Sequence, residues 1–190
     1  MFARTERLYL RPGFPEDAPA LAAAIGDEAV ARNLSALPWP YGVAQAAAFI
    51  GLPDAPLLPR LLIVLRTDIA PRLIGGIGIH PREGEGDGGA LELGYWIARA
   101  HWGRGFATEA GRAVMDIARA NRLPRLTARH FTDNPASGAV LRKLGFSATG
   151  RSEQRSSAAR GGAAMCAGYE EGTDVDADAA GLRAPMPMAA

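Results

Sequence analysis

Gly103-Arg104-Gly105 separates a strand-like run, LELGYWIA (91–98), from a helix-like run that opens at Phe106. Two glycines leave the backbone bare where a helix begins. A helix N-terminus offers unpaired N–H groups and a partial positive charge, and together these bind phosphate. Arg104 adds a guanidinium that keeps its charge at any working pH. The same glycines would also serve a tight turn, so the pattern alone selects no ligand. A Walker A loop, G-x-x-x-x-G-K-[ST], is absent. A dinucleotide fingerprint needs Gly or Ala where Thr108 stands, and an acidic ribose ligand about 20 residues on. That ligand would fall in NRLPRLTARH, which has neither Asp nor Glu.

The elements that must position this loop are read from periodicity. TERLYLRP (5–12) alternates as a strand. Asp17 caps an alanine-rich helix reaching about Ile25, and a second helix over Val43–Ile50 stops at Gly51. Strands over 61–67 and 73–80 lead through the Gly-rich turn 81–89 into 91–98, an antiparallel meander. After Gly105, Ala110, Val114, Ile117 and Ala118 form an apolar helical stripe, opposite Glu109, Arg112, Asp116 and Arg119. A strand over 125–131 precedes a helix with Asn134 as N-cap, Pro135 at its first position and Gly145 as its stop. Weaker strands follow near 147–154 and 163–170, and residues 172–190 are expected to be a disordered tail. One α/β (α+β) domain over 1–171 accounts for this order.

Composition narrows the function classes. No apolar run approaches the ~20 residues of a membrane span, and nothing at the start reads as a secretion signal, so a cytoplasmic protein is expected. With Cys166 alone, disulfide frameworks and Cys-based zinc sites are excluded, and no metal is expected. A net charge of +1 argues against direct nucleic-acid binding. The acidic end hides a basic body, since residues 1–169 carry 20 basic and 15 acidic side chains. That excess suits an anionic small ligand.

From LELGYWIARAHWGRGFATEA through DNPASGAVLRKLGF, the sequence resembles the GNAT superfamily of N-acetyltransferases, in the branch named for RimJ and RimL. The opening TERLYLRPGFPEDAPAL and LPWPYGVAQAAAFI fit the same branch. The family's pyrophosphate motif, Q/R-x-x-G-x-G/A, falls on Trp102-Gly103-Arg104-Gly105-Phe106-Ala107, with Trp102 departing from the usual first residue. The resemblance implies the GNAT fold: a mixed, mostly antiparallel sheet whose two central parallel strands splay apart, flanked by helices. It implies acetyl-CoA as cosubstrate and direct transfer to an amine, either a protein N-terminal α-amine or a small molecule. Main-chain groups of Gly103, Arg104, Gly105, Phe106, Ala107 and Thr108 would hold the pyrophosphate. Asn134 would touch the cofactor arm, Lys143 a phosphate, and the Ile97 amide the thioester oxygen.

Such a transfer needs a base and an acid. Glu92 is the candidate base, because strand alternation puts it on one face with Gly94 and Trp96; a solvated carboxylate is the alternative. His80 is second, because imidazole titrates near neutrality. The tyrosine that many relatives carry seven residues after the asparagine is Leu141 here, and the RimL-like branch implies Ser137 as acid instead. An acceptor pocket is expected from residues 27–50, including Asn33, Trp39 and Tyr41, and weak terminal strands leave room for a homodimer. The rival reading is a CoA-binding regulatory or scaffold module without turnover.

Overall fold

The computed structural model describes residues 1–53, 55–82 and 89–172. Two short strands, β1 (Ala3–Arg4) and β2 (Leu8–Arg11), lead into helices α1 (Ala18–Ile25), α2 (Glu28–Ala31) and α3 (Val43–Ile50). Then come β3 (Arg60–Leu65), β4 (Arg72–Pro81), β5 (Leu91–Ile97), α4 (Phe106–Ala120), β6 (Leu126–Phe131), α5 (Pro135–Lys143), β7 (Phe146–Ser157) and β8 (Gly162–Glu171). The strands form one sheet in the order β1-β2-β3-β4-β5-β6-β8-β7. All neighbours are antiparallel except β5 and β6.

Alternation along the strands divides the apolar residues between two faces. Leu8, Leu10, Ile63, Ile77 and Leu93 join Phe106, Val114 and Met115 of α4 and Leu141 of α5 in the larger core. Leu62 and Val64, of opposite parity, pack with Leu21 of α1 and Ala46 of α3 in a smaller one, against which Trp96 rests. Burying a Leu-sized side chain contributes roughly 1.5–3 kcal/mol, so both helical layers are held to the sheet mainly by these stripes.

Two expectations need correction. Asp17 precedes α1, but its side chain does not cap that helix. It is bidentate with Arg11, at 2.6 and 2.8 Å, and accepts from the Phe14 amide at 2.8 Å. Those bonds, the Arg11 ones foremost, hold its carboxyl below the ordinary value. The terminal strands are not weak: β7 and β8 are 12 and 10 residues long, and β8 lies inside the sheet between β6 and β7. Ladder bonds need backbone and not bulk, and the buried Phe146, Cys166 and Tyr169 anchor the hairpin. The turn expected over 81–89 falls largely outside the described residues, as does the tail beyond Gly172.

Candidate functional site

Gly103 and Gly105 have φ of +72° and +80°, a region that side-chain-bearing residues rarely adopt. A Cβ added to Gly103 would meet nothing within 4 Å, so the space over the loop is open. Gly105 is the N-cap of α4 and supplies no side chain; the first intrahelical bond runs from the Glu109 amide to the Gly105 carbonyl. The amides of Phe106, Ala107 and Thr108 therefore have no acceptor within the helix. The loop itself is braced from outside. Arg7 donates to the Arg104 carbonyl at 3.1 Å, and its guanidinium lies 4.5 Å from the centre of the Phe106 ring, which Arg104 also faces at 5.1 Å.

Glu109 sets this brace, and not the salt-paired helix stripe expected for it. It takes Arg7 Nε at 2.7 Å, the Arg7 amide at 2.9 Å and the Thr5 hydroxyl at 2.6 Å. Burial pushes its carboxyl up, but these bonds outweigh that and leave it below its ordinary value. Asp116 and Arg119 do pair along the helix as the spacing predicts, at 2.9 Å.

A gap opens beside the loop. β5 and β6 are in register only at Leu91↔Leu126 and Glu92↔Thr127, and beyond Glu92 they diverge. The Ala98 amide bonds the Ile74 carbonyl, and alternation of the antiparallel ladder then turns the Tyr95 and Ile97 amides away from β4, toward β6. The Ile97 carbonyl is taken by the indole N–H of Trp102 at 2.6 Å. Trp102, the departure from the motif's first residue, thus ties the end of β5 to the glycine loop.

On the sheet face toward α1 and α3, Glu92 is not a solvated carboxylate. Its oxygen accepts from Arg129, and both side chains are nearly buried, 12% and 10% exposed. Arg129 also bonds Glu153, which pairs with Arg155 at 2.8 Å and Arg82 at 3.2 Å. Burial acts to raise Glu153, yet the bonds from Arg155 and Arg129 win and hold it at about 2. The sequence offered no sign of Arg129 or Glu153 as partners. His80 stands opposite Glu92 in register, exposed, with Nδ1 3.1 Å from the Pro81 carbonyl. A neutral ring that donates from Nδ1 to that carbonyl carries its lone pair on Nε2. Gly94 makes room for the ring: a Cβ there would lie 3.2 Å from Nε2.

On the opposite face, Asn134 caps α5 by accepting the Ser137 amide at 3.3 Å. Ser137, half-buried, meets the side chain of Tyr95. The Tyr95 hydroxyl lies 2.9 Å from the Ser137 carbonyl and 2.8 Å from its Oγ. Burial pushes the Tyr95 phenol up to about 12. Leu141 is fully buried, so the tyrosine position of many relatives is spent on packing. Lys143 is exposed at the far end of α5, roughly 13–14 Å from Asn134 at helical rise. Arg142 donates to the Tyr169 hydroxyl at 3.3 Å. Cys166 is buried, and burial raises its thiol, which disfavours a thiolate nucleophile.

Of the residues expected in an acceptor pocket, Asn33 donates to the Ala29 carbonyl and accepts from Arg160, while Tyr41 packs with the smaller core. Arg160, at the β7–β8 tip, also bonds Asp133 twice at 2.8 Å. The hairpin tip is thereby clasped to both the α2 loop and the β6–α5 turn. Among the described residues no helix is long and apolar enough to cross a membrane.

Comparison with known proteins agrees with this arrangement. Residues 7–147 match the domain described as acetyltransferase (GNAT) domain. The chain is 33% identical over 152 residues to N-acetyltransferase p20 of Bacillus licheniformis, itself described as uncharacterized, covering 77% of this chain and 82% of that one. The ribosomal-protein-S5-alanine acetyltransferase of Vibrio fischeri superimposes with a TM-score of 0.73 at 18% identity, covering 92% of this chain and 97% of that one. The microcin C7 self-immunity acetyltransferase MccE, solved with acetyl-CoA and AMP, gives 0.72 at 16% identity, covering 89% and 94%. The fold is that of these proteins: a mixed, mostly antiparallel sheet, opened between its two parallel strands and flanked by helices. By the match over most of its length, the chain belongs to the GNAT acetyltransferase family.

Proposed function

We propose that the protein is an acetyl-CoA-dependent N-acetyltransferase of the RimJ/RimL branch, acting on a protein N-terminal α-amine or a small-molecule amine. The observation that carries this reading is the pair of positive-φ glycines at the uncapped start of α4, beside the gap between β5 and β6. The family match and the neighbour solved with acetyl-CoA support that cosubstrate. Acetyl-CoA supplies the activated acetyl thioester; the chain supplies position, charge and proton traffic.

The amides of Phe106, Ala107 and Thr108, with Arg104, bind the pyrophosphate, and Asn134 borders the arm's path. The Ile97 amide, turned toward β6, donates to the thioester oxygen; an oriented donor of this kind is typically worth about 10²–10³ in rate. His80 Nε2 takes the amine proton. Glu92, the first candidate from the sequence, has its oxygen engaged by Arg129, which leaves His80, its register partner on β4, as the base. Ser137 faces the departing sulfur as the proton donor. An α-amine, with a reference pKa of about 7.7–8.0 against about 10.4 for lysine, suits an imidazole base. A ribosomal-protein alanine acetyltransferase among the structural neighbours points the same way.

The test is thiol release from acetyl-CoA across a panel of α-amino peptides, polyamines and lysine peptides. One acceptor class should accelerate release, and His80→Gln should lower kcat while leaving CoA affinity intact. Tight CoA binding with no acceptor accelerating release would instead indicate a binding module.

A further inference from the structure

Tyr95 belongs to none of the roles above, yet its hydroxyl is within bonding distance of two oxygens on the first turn of α5. A phenol has one proton. The Ser137 carbonyl, 2.9 Å away, can only accept it; Ser137 Oγ, 2.8 Å away, can accept it or donate in return. Two arrangements follow. With the phenol proton on the carbonyl, the serine proton is tied up by the phenol oxygen. With the phenol proton on Oγ, the serine proton is free to point away from Tyr95. The Ser137 backbone is fixed in both, because its amide is held by Asn134 Oδ1 at 3.3 Å and the Asn134 carbonyl at 3.1 Å. Only the direction of the hydroxyl proton changes.

We infer that Tyr95 is a positioning residue that aims the Ser137 hydroxyl proton into the gap between β5 and β6, at the departing sulfur of the acyl donor. The inference rests on the acetyl-CoA reading above. Tyr95 comes from β5 where its partner strand has diverged, so it spans from the strand bearing the Ile97 amide to the helix bearing Ser137. In the step it serves, a C–N bond forms, and the C–S bond breaks with its electron pair going to sulfur. The Ser137 Oγ proton passes to sulfur. The proton lost by the amine nitrogen returns to Oγ through solvent, and Tyr95 keeps its own, donating to Oγ throughout. The fully buried Leu141 leaves no tyrosine on α5 for this work, so the phenol arrives from the facing strand and acts through a serine.

The test uses the full chain with Tyr95→Phe, Ser137→Ala and the double variant. Phenylalanine keeps the ring, and thermal melting checks that each variant folds. The readout apart from turnover is the ionisation of CoA thiol in the binary complex, followed by ultraviolet thiolate absorbance. Tyr95→Phe should shift that ionisation to higher pH and lower kcat about tenfold, with KM for acetyl-CoA unchanged. Ser137→Ala should lower kcat by about 10², the usual range for a placed acid. The double variant should be no slower than Ser137→Ala, because the tyrosine acts only through the serine. An unshifted thiol ionisation in Tyr95→Phe, or losses that multiply in the double variant, would overturn the inference alone. No effect of Ser137→Ala would remove the serine's role and the inference together. Failure of the wild-type protein to bind CoA in calorimetry would defeat the acetyl-CoA reading itself.

Discussion

The loop that opens α4 and the charged sheet face around Arg129 handle polar groups in opposite ways. At the loop, the first amides of α4 have no acceptor within the helix, glycines keep side chains away, and the bracing from Arg7 and Glu109 comes from outside. Around Arg129, carboxylates and guanidiniums are matched to each other, with Glu92 and Arg129 nearly buried and Glu153 half-buried. One region is built to be completed by something else; the other is already complete. The difference teaches where binding and where rigidity are located. Open donors are where the proposed cofactor would bind, while the charged network ties Arg82 and strands β5, β6 and β7 together.

That contrast breaks most visibly at Arg129. Arg129→Met leaves Glu92 without its cation, while Glu153 keeps Arg155 and Arg82, and removing one partner of a buried pair typically costs about 3–5 kcal/mol. Chemical denaturation should show a loss of that order, while calorimetry finds CoA affinity within about twofold of wild type; matched losses in both would merge the two regions into one. Gly105→Val makes the reverse cut. A β-branched residue at φ +80° shifts the loop, and one charge-assisted bond is worth about 1.5–3 kcal/mol. CoA affinity should fall about 100-fold with a melting loss of only a few degrees. Retained affinity would mean that the glycines shape a turn and no phosphate site.

The smallest effect concerns acid. Glu153 sits at about 2 in the folded chain against an ordinary 4.5, and Asp17 and Glu109 are also lowered. A depressed carboxyl contributes stability that is fully present above its ordinary value and is lost as pH falls through the folded one. Melting temperature should therefore drop as pH goes from about 5 toward 2. Glu153→Gln should make that slope shallower, and an identical slope would assign acid lability elsewhere.

Much of the loop was legible because its signals are local. Gly103 and Gly105 need positive φ, Asn134-Pro135 opens a helix, and α3 runs over Val43–Ile50 as its period predicts. The fold class was legible for the same reason. What could not be read depends on partners distant in the chain. Glu92 looked free because Arg129 lies 37 residues away. Tyr95 alternates with Leu91 and Leu93 along β5, and only the closeness of α5 to β5 shows where the hydroxyl goes. Glu109 looked like a helix-surface charge because its partners, Thr5 and Arg7, are more than 100 residues upstream. The β7–β8 hairpin was undervalued because small residues pair through backbone that leaves no hydrophobic trace.

The central claim is that the start of α4 holds a diphosphate by main-chain N–H groups. A crystal structure of the complex with CoA tests it most directly. Diphosphate oxygens should accept from the amides of Phe106, Ala107 and Thr108, with the pantetheine arm running between β5 and β6. Diphosphate bound elsewhere, with those three amides facing water, would contradict the account.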